Sequence, residues 1–274
     1  MKDGDTHRYV VQRWNGSQFN LDEDFLADES VVQLVLNGAV LATVLATNAN
    51  LEALAIGHFA CEHGCAEALH DAPVHHSTLQ GVHRVEVTVE KTFIIAERQG
   101  LVTTSCGACT ADDRSELIQL NGRVDEPLNS IDLAQLLDAL PLLNQNQPLF
   151  AKTGGVHAAG LLYSLEPGDL LVREDIGRHN AVDKVVGAHL MSGLAQRPMA
   201  LTLSGRCGWD IVAKAARMNI PVIASIGAAS SLAAETARAC GITLVTFGRE
   251  GKGTVIGAVQ GRFQGRIEKG RHEP

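Results

Sequence analysis

The chain has 274 residues, 45% of them hydrophobic and 20% charged, which suits one large folded domain or two moderate ones and excludes a disordered chain. A net charge of −8 argues against general nucleic-acid binding, which calls for a basic face; only the stretch from Gly248 onward is locally basic, with six Lys and Arg against three acids. No uncharged apolar run is long enough for a bilayer, because Asn37 interrupts the best candidate, Val31 to Ala46, and Met1–Asp5 leads into no signal region. A cytoplasmic, reducing location is therefore expected, with neither nucleic acid nor membrane as a partner.

Residues 1–30 are polar and mixed in charge, and are expected to form an arm with one strand near Tyr9–Arg13. Val31–Leu36 reads as a strand, Asn37-Gly38 as a tight hairpin turn and Val40–Thr47 as the returning strand. From Asn48 a helix follows, with Leu51, Leu54, Ala55, His58 and Phe59 on one face, ending near Gly64. His58, His63, His70, His75 and His76 then accompany Cys61 and Cys65 in a His-rich stretch. Its spacing matches no standard zinc pattern, and a buried cysteine with surface histidines is the plainer reading. Arg84–Glu90 alternates as a half-exposed strand, and Thr92–Glu97 is a further candidate.

Pro127, Pro141 and Pro148 mark the expected boundary between two lobes: 31–125, a small α+β lobe, and 126–274, an α/β lobe. An amphipathic helix at Ile131–Leu140 falls within that boundary region. The second half alternates strands (His157–Tyr163, Leu170–Val172, Met199–Leu203, Pro221–Ala224, Ile242–Val245) with helices (Asn180–Leu190, Asp210–Met218, Ser230–Cys240). This rhythm predicts a mainly parallel, three-layer α/β sheet. Ligands on such sheets sit at the carboxyl ends of strands. Here those ends are Ser204-Gly205-Arg206, Ser225-Ile226-Gly227 and Phe247-Gly248-Arg249.

Chemistry concentrates in a few stretches. Cys106 and Cys109 flank Gly107-Ala108 in a small, polar setting where reagents can reach them. Zinc, a redox pair and sulfur carriage through a persulfide are all compatible with two such thiols. Cys207 stands at a helix start, where a thiolate is favoured, although filling a tight turn is the simpler role; Cys240 reads as core. His157 has Ala159 where a zinc deaminase would carry its proton-shuttling Glu, and the Cys pair precedes the His, so that chemistry is rejected. Val172–Asn180 is dense in charge around Gly177 and reads equally as a salt-bridged helix start capped by Asn180 or as polar recognition at a domain interface. Phe247, Gly248, Arg249, Glu250, Gly251, Lys252 and Gly253 form a Gly-rich loop with two cations, suited to phosphates but lacking the P-loop's Gly-Lys-Ser/Thr.

Ser105–Cys109, Thr153–Ala159, Arg173–Lys184 and Ser204–Arg206 together resemble the formate dehydrogenase accessory sulfurtransferases, the FdhD family, over about Val31 to Arg262. The resemblance implies a sulfurtransferase that takes sulfur from a cysteine desulfurase as a persulfide. It would pass that sulfur to the molybdenum cofactor, in its bis-guanine-dinucleotide form, before insertion into formate dehydrogenase. The persulfide position falls on Cys106, with Cys109 as partner thiol, and the cofactor-binding segment on Phe247–Lys252. The resemblance also implies a cytidine-deaminase-like second lobe, a homodimer and no permanently bound cofactor or metal. The alternative is a non-catalytic chaperone that carries the cofactor to formate dehydrogenase. Family loops often place a basic residue before the Cys pair, where Thr104 and Ser105 stand here, so the activation of Cys106 needs another source.

Overall fold

The computed structural model describes residues 5–64, 66–90, 118, 121–127, 130–166 and 168–264. The chain opens with a two-stranded antiparallel ribbon, β1 (Thr6–Trp14) and β2 (Phe19–Ala27). One strand was expected there. The second was hidden because Asp22, Glu23 and Asp24 are poor strand formers by propensity. Their partners lie across the ribbon: Arg13 donates to Asp22 at 2.6 Å and Arg8 to Glu23 at 3.2 Å. The Asn15 carboxamide accepts from the Ser17 and Gln18 amides and so closes the turn.

A four-stranded sheet follows in the order β4-β3-β6-β5, built from β3 (Ser30–Leu36), β4 (Ala39–Ala46), β5 (Val74–Leu79) and β6 (Val82–Val87). Only β3 and β6 run parallel. Asn37 (φ 48°) and Gly38 (φ 86°) supply the two positive-φ positions that were read from the Asn-Gly pair. Gln80 (φ 51°) and Gly81 (φ 79°) do the same for β5–β6. His75 and His76 therefore belong to a strand. Helix α1 (Leu51–His63) stops where Gly64 enters the left-handed region, φ 67°, and returns its amide to the Ala60 carbonyl. A single turn, α2 (Ala66–Leu69), follows.

The second sheet has six strands in the order β12-β11-β10-β9-β7-β8. They are β7 (His157–Leu162), β8 (Leu170–Asp175), β9 (Ala200–Leu203), β10 (Val222–Ser225), β11 (Thr243–Arg249) and β12 (Lys252–Ile256). Its helices are α3 (Leu133–Gln145), α4 (Pro148–Thr153), α5 (Arg178–Met191), α6 (Trp209–Arg217) and α7 (Ser231–Cys240). The expectation of a mainly parallel sheet is corrected. Only β9, β10 and β11 run parallel, and β7, β8 and β12 are antiparallel to their neighbours. The reason is connection length, since β7–β8 and β11–β12 are hairpins with no room for a crossover. Strand alternation serves two cores. Leu201, Ile223 and Leu244 face α5–α7, and Ala200, Ala224 and Val245 face α3. Among the described residues no helix is long and apolar enough to cross a membrane.

Helix α1 covers the first sheet and packs face to face with α5, which lies on β7 and β8 of the second. The approach is close enough to require glycine on both sides. A Cβ on Gly57 would stand 1.8 Å from the Asp183 carbonyl oxygen, and one on Gly187 would stand 1.8 Å from that of Ala53. This explains why α1 is buried around most of its surface, beyond the single apolar face its periodicity suggested.

The charge-dense run before and through α5 resolves as structure. Asp175, fully buried, accepts from the Thr47 amide and hydroxyl, both at 3.0 Å, and pairs with Lys184 at 2.6 Å. Its other oxygen accepts from the Gly177 amide at 2.8 Å and the Asn180 carboxamide at 3.0 Å. Asn180 is thus not the cap. Gly177 holds that place, and Asn180 reaches out of the first turn to the Leu45 carbonyl at 2.7 Å. A second buried cluster sits beside it. Lys214 of α6 donates to Glu62 of α1 and Asp183 of α5, each at 2.7 Å, and His58 lies 3.3 Å from Asp183. Burial alone would raise the Glu62 carboxyl, but the Lys214 ammonium overrides it and holds it well below its ordinary 4.5. For Lys214, burial pulls the other way, and Asp183 with Glu62 raise it well above 10.5.

Two stability tests follow. Gly57→Ala should cost about 3 kcal/mol or more in urea unfolding, because backbone must move, whereas Gly122→Ala, with nothing within 4 Å, should stay within about 0.5 kcal/mol. Glu62, lowered in the folded state, contributes stability that is present above pH 4.5 and is lost as pH falls below it. Lys214→Met should therefore cost about 3–5 kcal/mol at neutral pH. It should also flatten or reverse the acid limb of the unfolding curve; an unchanged acid limb would contradict the cluster's role.

Candidate functional site

The carboxyl ends of β9, β10 and β11 meet at one edge of the second sheet. Backbone bonds tie their loops together: Gly227 donates to the Gly205 carbonyl at 3.2 Å, and Phe247 donates to that of Gly227 at 3.1 Å. The Ser225 hydroxyl also reaches the Gly205 carbonyl, at 2.7 Å. A side chain on Gly227 would collide with that carbonyl at 2.7 Å. Ser204 is held by the Ala158 amide, which donates to its Oγ at 2.8 Å.

The stretch read as a Gly-rich loop is the tip of the β11–β12 hairpin. Its register slips between Thr246 and Arg249, and Phe247 (φ 54°), Glu250 (φ 52°) and Gly251 (φ 69°) all take positive φ. The slip presses Gly248 against α3, where an added Cβ would stand 2.3 Å from Leu140 Cδ1. β12 was missed because glycines at 251 and 253 flank Lys252 where it begins.

Between this hairpin, α3, α4 and the start of β7 lies a cleft of about 710 Å³. Leu140, Pro141, Phe150, Val156 and Ile226 give it apolar walls. Asn144, Gln147, His157, Ser204, Arg249 and Glu250 supply polar groups, and Gly154 and Gly155 expose backbone. Of the anticipated anion segment, Gly248, Arg249 and Glu250 line the cleft; Phe247, Gly251 and Lys252 project at the hairpin outside it. Asn144, Gln147 and Phe150 were not singled out from sequence. They fall in the segment read only as a lobe boundary, where the run of carboxamides Asn144-Gln145-Asn146-Gln147 was the available signal.

His157 is half-buried beside Gly205, 3.2 Å from where a Cβ there would lie. Burial, then the cations Arg178 and Arg206 with His179 between them in effect, push its imidazole below 6.5, so it stands neutral at physiological pH. Next to it His179 pairs with Asp210. A smaller cavity of about 340 Å³ opens beyond, with Arg178, Arg206, Cys207, Gly208 and Ser230 in its wall.

The described cysteines are poor nucleophiles. Cys207 is buried, and burial with Asp210 nearby pushes its thiol well up, so the turn-filling role is the one it has. Burial likewise raises Cys61 and Cys240. Cys65, Cys106 and Cys109 lie outside the described residues, as does the strand expected at 92–97. Among the described residues no cluster of three or more His, Cys, Asp or Glu could hold a metal. His76 contacts Glu52 and His83 instead. Arg262, counted with the basic C-terminal stretch, is fully buried and donates to the Pro221 carbonyl at 2.8 Å and to that of Gly241.

The fold and cleft define a mixed α/β protein with a ligand-sized site at the parallel strand ends. The FdhD/NarQ family profile matches residues 27–261, and the chain belongs to that family. A sulfur carrier protein FdhD from Xanthomonas axonopodis pv. citri is 32% identical over 247 residues, covering 88% of this chain and 86% of the relative. One from Thermoplasma volcanium is 41% identical over 152 residues, covering 56% of this chain and 54%, about half, of the relative. A solved structure from Desulfotalea psychrophila, described as a formate dehydrogenase accessory protein, shares the fold at a TM-score of 0.73 and 23% identity, covering 94% of this chain and 99% of that one.

The environment of His157 can be tested by NMR titration. Its imidazole should titrate below 6.5, and Arg206→Gln should shift the midpoint upward; a midpoint at or above 6.5 in the unaltered protein would contradict the burial and charge described.

Proposed function

We propose that the protein is a sulfur carrier for the maturation of formate dehydrogenase. Cys106 receives sulfur from a cysteine desulfurase, and the recipient is the molybdenum cofactor in its bis-guanine-dinucleotide form. The observation that carries this reading is the cleft, in which apolar walls, carboxamides and Arg249 meet at the strand ends of a chain belonging to the FdhD/NarQ family. Relatives bearing the sulfur carrier name support the same role.

The transfer balances without an external oxidant. The Cys106 thiolate attacks the outer sulfur of the donor's persulfide, that S–S bond breaks, and the donor cysteine leaves as a thiolate. Cys109 then attacks the inner sulfur of the Cys106 persulfide. This releases hydrosulfide toward the cofactor and leaves a Cys106–Cys109 disulfide, which a dithiol reductant reopens. Buried Cys61, Cys207 and Cys240 cannot compete for the sulfur, because their thiols are held protonated. Arg249 in the cleft, with Lys252 close by on the hairpin, supplies positive charge for the dinucleotide phosphates. The three described cysteines are free thiols, which suits a reducing cytoplasm.

Mass spectrometry after incubation with a desulfurase and cysteine should show one added sulfur atom on Cys106. Cys106→Ala should lose the adduct and abolish activation of formate dehydrogenase. Full activation by that variant, with guanine-nucleotide binding intact, would replace the carrier with a non-catalytic cofactor chaperone.

A further inference from the structure

Helix α4 is six residues long, too short to stand by itself, and its first turn carries no cap of its own. Pro148 has no N–H to satisfy, and Gln147, at the cap place, makes no side-chain bond to the helix. The donors left over in the first turn are the Leu149 and Phe150 amides. Both go to one side chain on another strand: Glu174 of β8 accepts from Leu149 at Oε2, 3.0 Å, and from Phe150 at Oε1, 2.8 Å. The Phe150 carbonyl in turn accepts from the Gly154 amide at 2.7 Å, where the chain leaves the helix at φ 64°. A chain of hydrogen bonds thus runs from β8 through Phe150 to Gly154. Phe150, Gly154 and Gly155 line the cleft, and Glu174 stands outside that lining. We propose that Glu174 is a positioning residue of the cleft: by holding both amides it fixes α4 against β8, and so sets where Phe150 and the Gly154-Gly155 backbone meet the ligand. This rests on the reading of the cleft as the dinucleotide site.

The clamp needs both carboxylate oxygens. Two acceptors meet two donors, and an ionised acceptor makes the stronger bonds. A carboxamide in the same place would keep one acceptor and turn its NH₂ toward the other amide. The last turn of α4 is tied elsewhere, since Lys152 donates to the Thr6 hydroxyl at 2.8 Å and lies over the Phe25 ring at 4.2 Å. Burial raises the Glu174 carboxyl above its ordinary 4.5, which the two amides and then Lys184 oppose. The charged groups around it are Lys184 of α5, Arg173 and Asp175 beside it on β8, and Asp5, which shares with it a neighbouring cavity of about 370 Å³. Protonation replaces one acceptor with an O–H facing an amide donor, so the clamp weakens as pH falls through that raised value. His157 acts the opposite way, because its protonation adds a cation to the cleft wall.

Calorimetric titration of the full chain with guanosine diphosphate, well below the unfolding temperature, tests this. At neutral pH Glu174→Gln should weaken binding by about tenfold in protein that is still folded. A role confined to folding would lower the unfolding temperature and leave that affinity in place. As pH falls, the unaltered protein should lose affinity faster than the variant, until the two converge; the ligand's own phosphate protonation is common to both. NMR titration of the unaltered protein gives a second readout. Its Leu149 and Phe150 amides should shift together, with one midpoint above 4.5. Binding by folded Glu174→Gln within about twofold of the unaltered protein, or Leu149 and Phe150 amides that do not titrate, would overturn the role of Glu174 while leaving the cleft as a nucleotide site. Failure of the unaltered protein to bind guanosine diphosphate would overturn the cleft reading and this assignment together. The amide titration decides the matter even if the variant fails to fold.

Discussion

The contact of Gly57 with Gly187 sets the geometry on which the rest of the molecule depends. With a Cβ on either residue, backbone of the facing helix would lie within 1.8 Å, so α1 and α5 meet at their main chains. Such an approach leaves no space for side chains at the crossing and directs them to its flanks. The flanks carry charge: Asp175 with Lys184 and Thr47 on one side, and Lys214 with Glu62, Asp183 and His58 on the other. Each of these clusters draws residues from both sides of the crossing. The first sheet and the second are therefore joined by paired charges in a dry interior, where a wrong alignment would leave a charge unpaired. The need to pair these charges accounts for groups as polar as Asp175, Asp183 and Lys184 lying fully buried.

From that joint the functional region follows. β8 ends in Asp175, α5 begins at Arg178, and His179 of its first turn pairs with Asp210 at the start of α6. At the mouth of β7, burial first and then Arg178 and His179 of the same segment push the His157 imidazole below its ordinary value. The cleft is completed from the opposite face of the sheet, where α3 packs against the slipped hairpin through Gly248. Its apolar walls and few polar groups are those of a small-molecule site, and its position at parallel strand ends is where open α/β sheets place ligands.

Much of this was legible in the residues, for local reasons. Asn37-Gly38 and Gly64 announce a turn and a helix end because few other residues take positive φ. Ser230, read as the first residue of its helix, stands one place before α7 and caps it through its own hydroxyl. The strand ends that meet at the cleft were visible in the strand–helix rhythm. What escaped depends on distant partners. β2 is stabilised by charges across the ribbon, and β12 begins among glycines that mark a turn. The sheet direction changes at two hairpins that a βα rhythm does not distinguish. Gln147 escaped because its place in the cleft wall is set by the packing of α3 and α4, and the carboxamide run around it was its one local signal. The Gly57–Gly187 contact involves residues with no signal except their lack of a side chain.

The central claim is that the cleft between α3 and the β11–β12 hairpin is the guanine-dinucleotide site of a sulfur carrier. A crystal structure of the full chain with guanosine diphosphate tests it most directly. The account predicts the diphosphate beside Arg249 and the base against Leu140 and Phe150. A nucleotide seated instead in the smaller cavity, between Arg178 and Arg206, would contradict it.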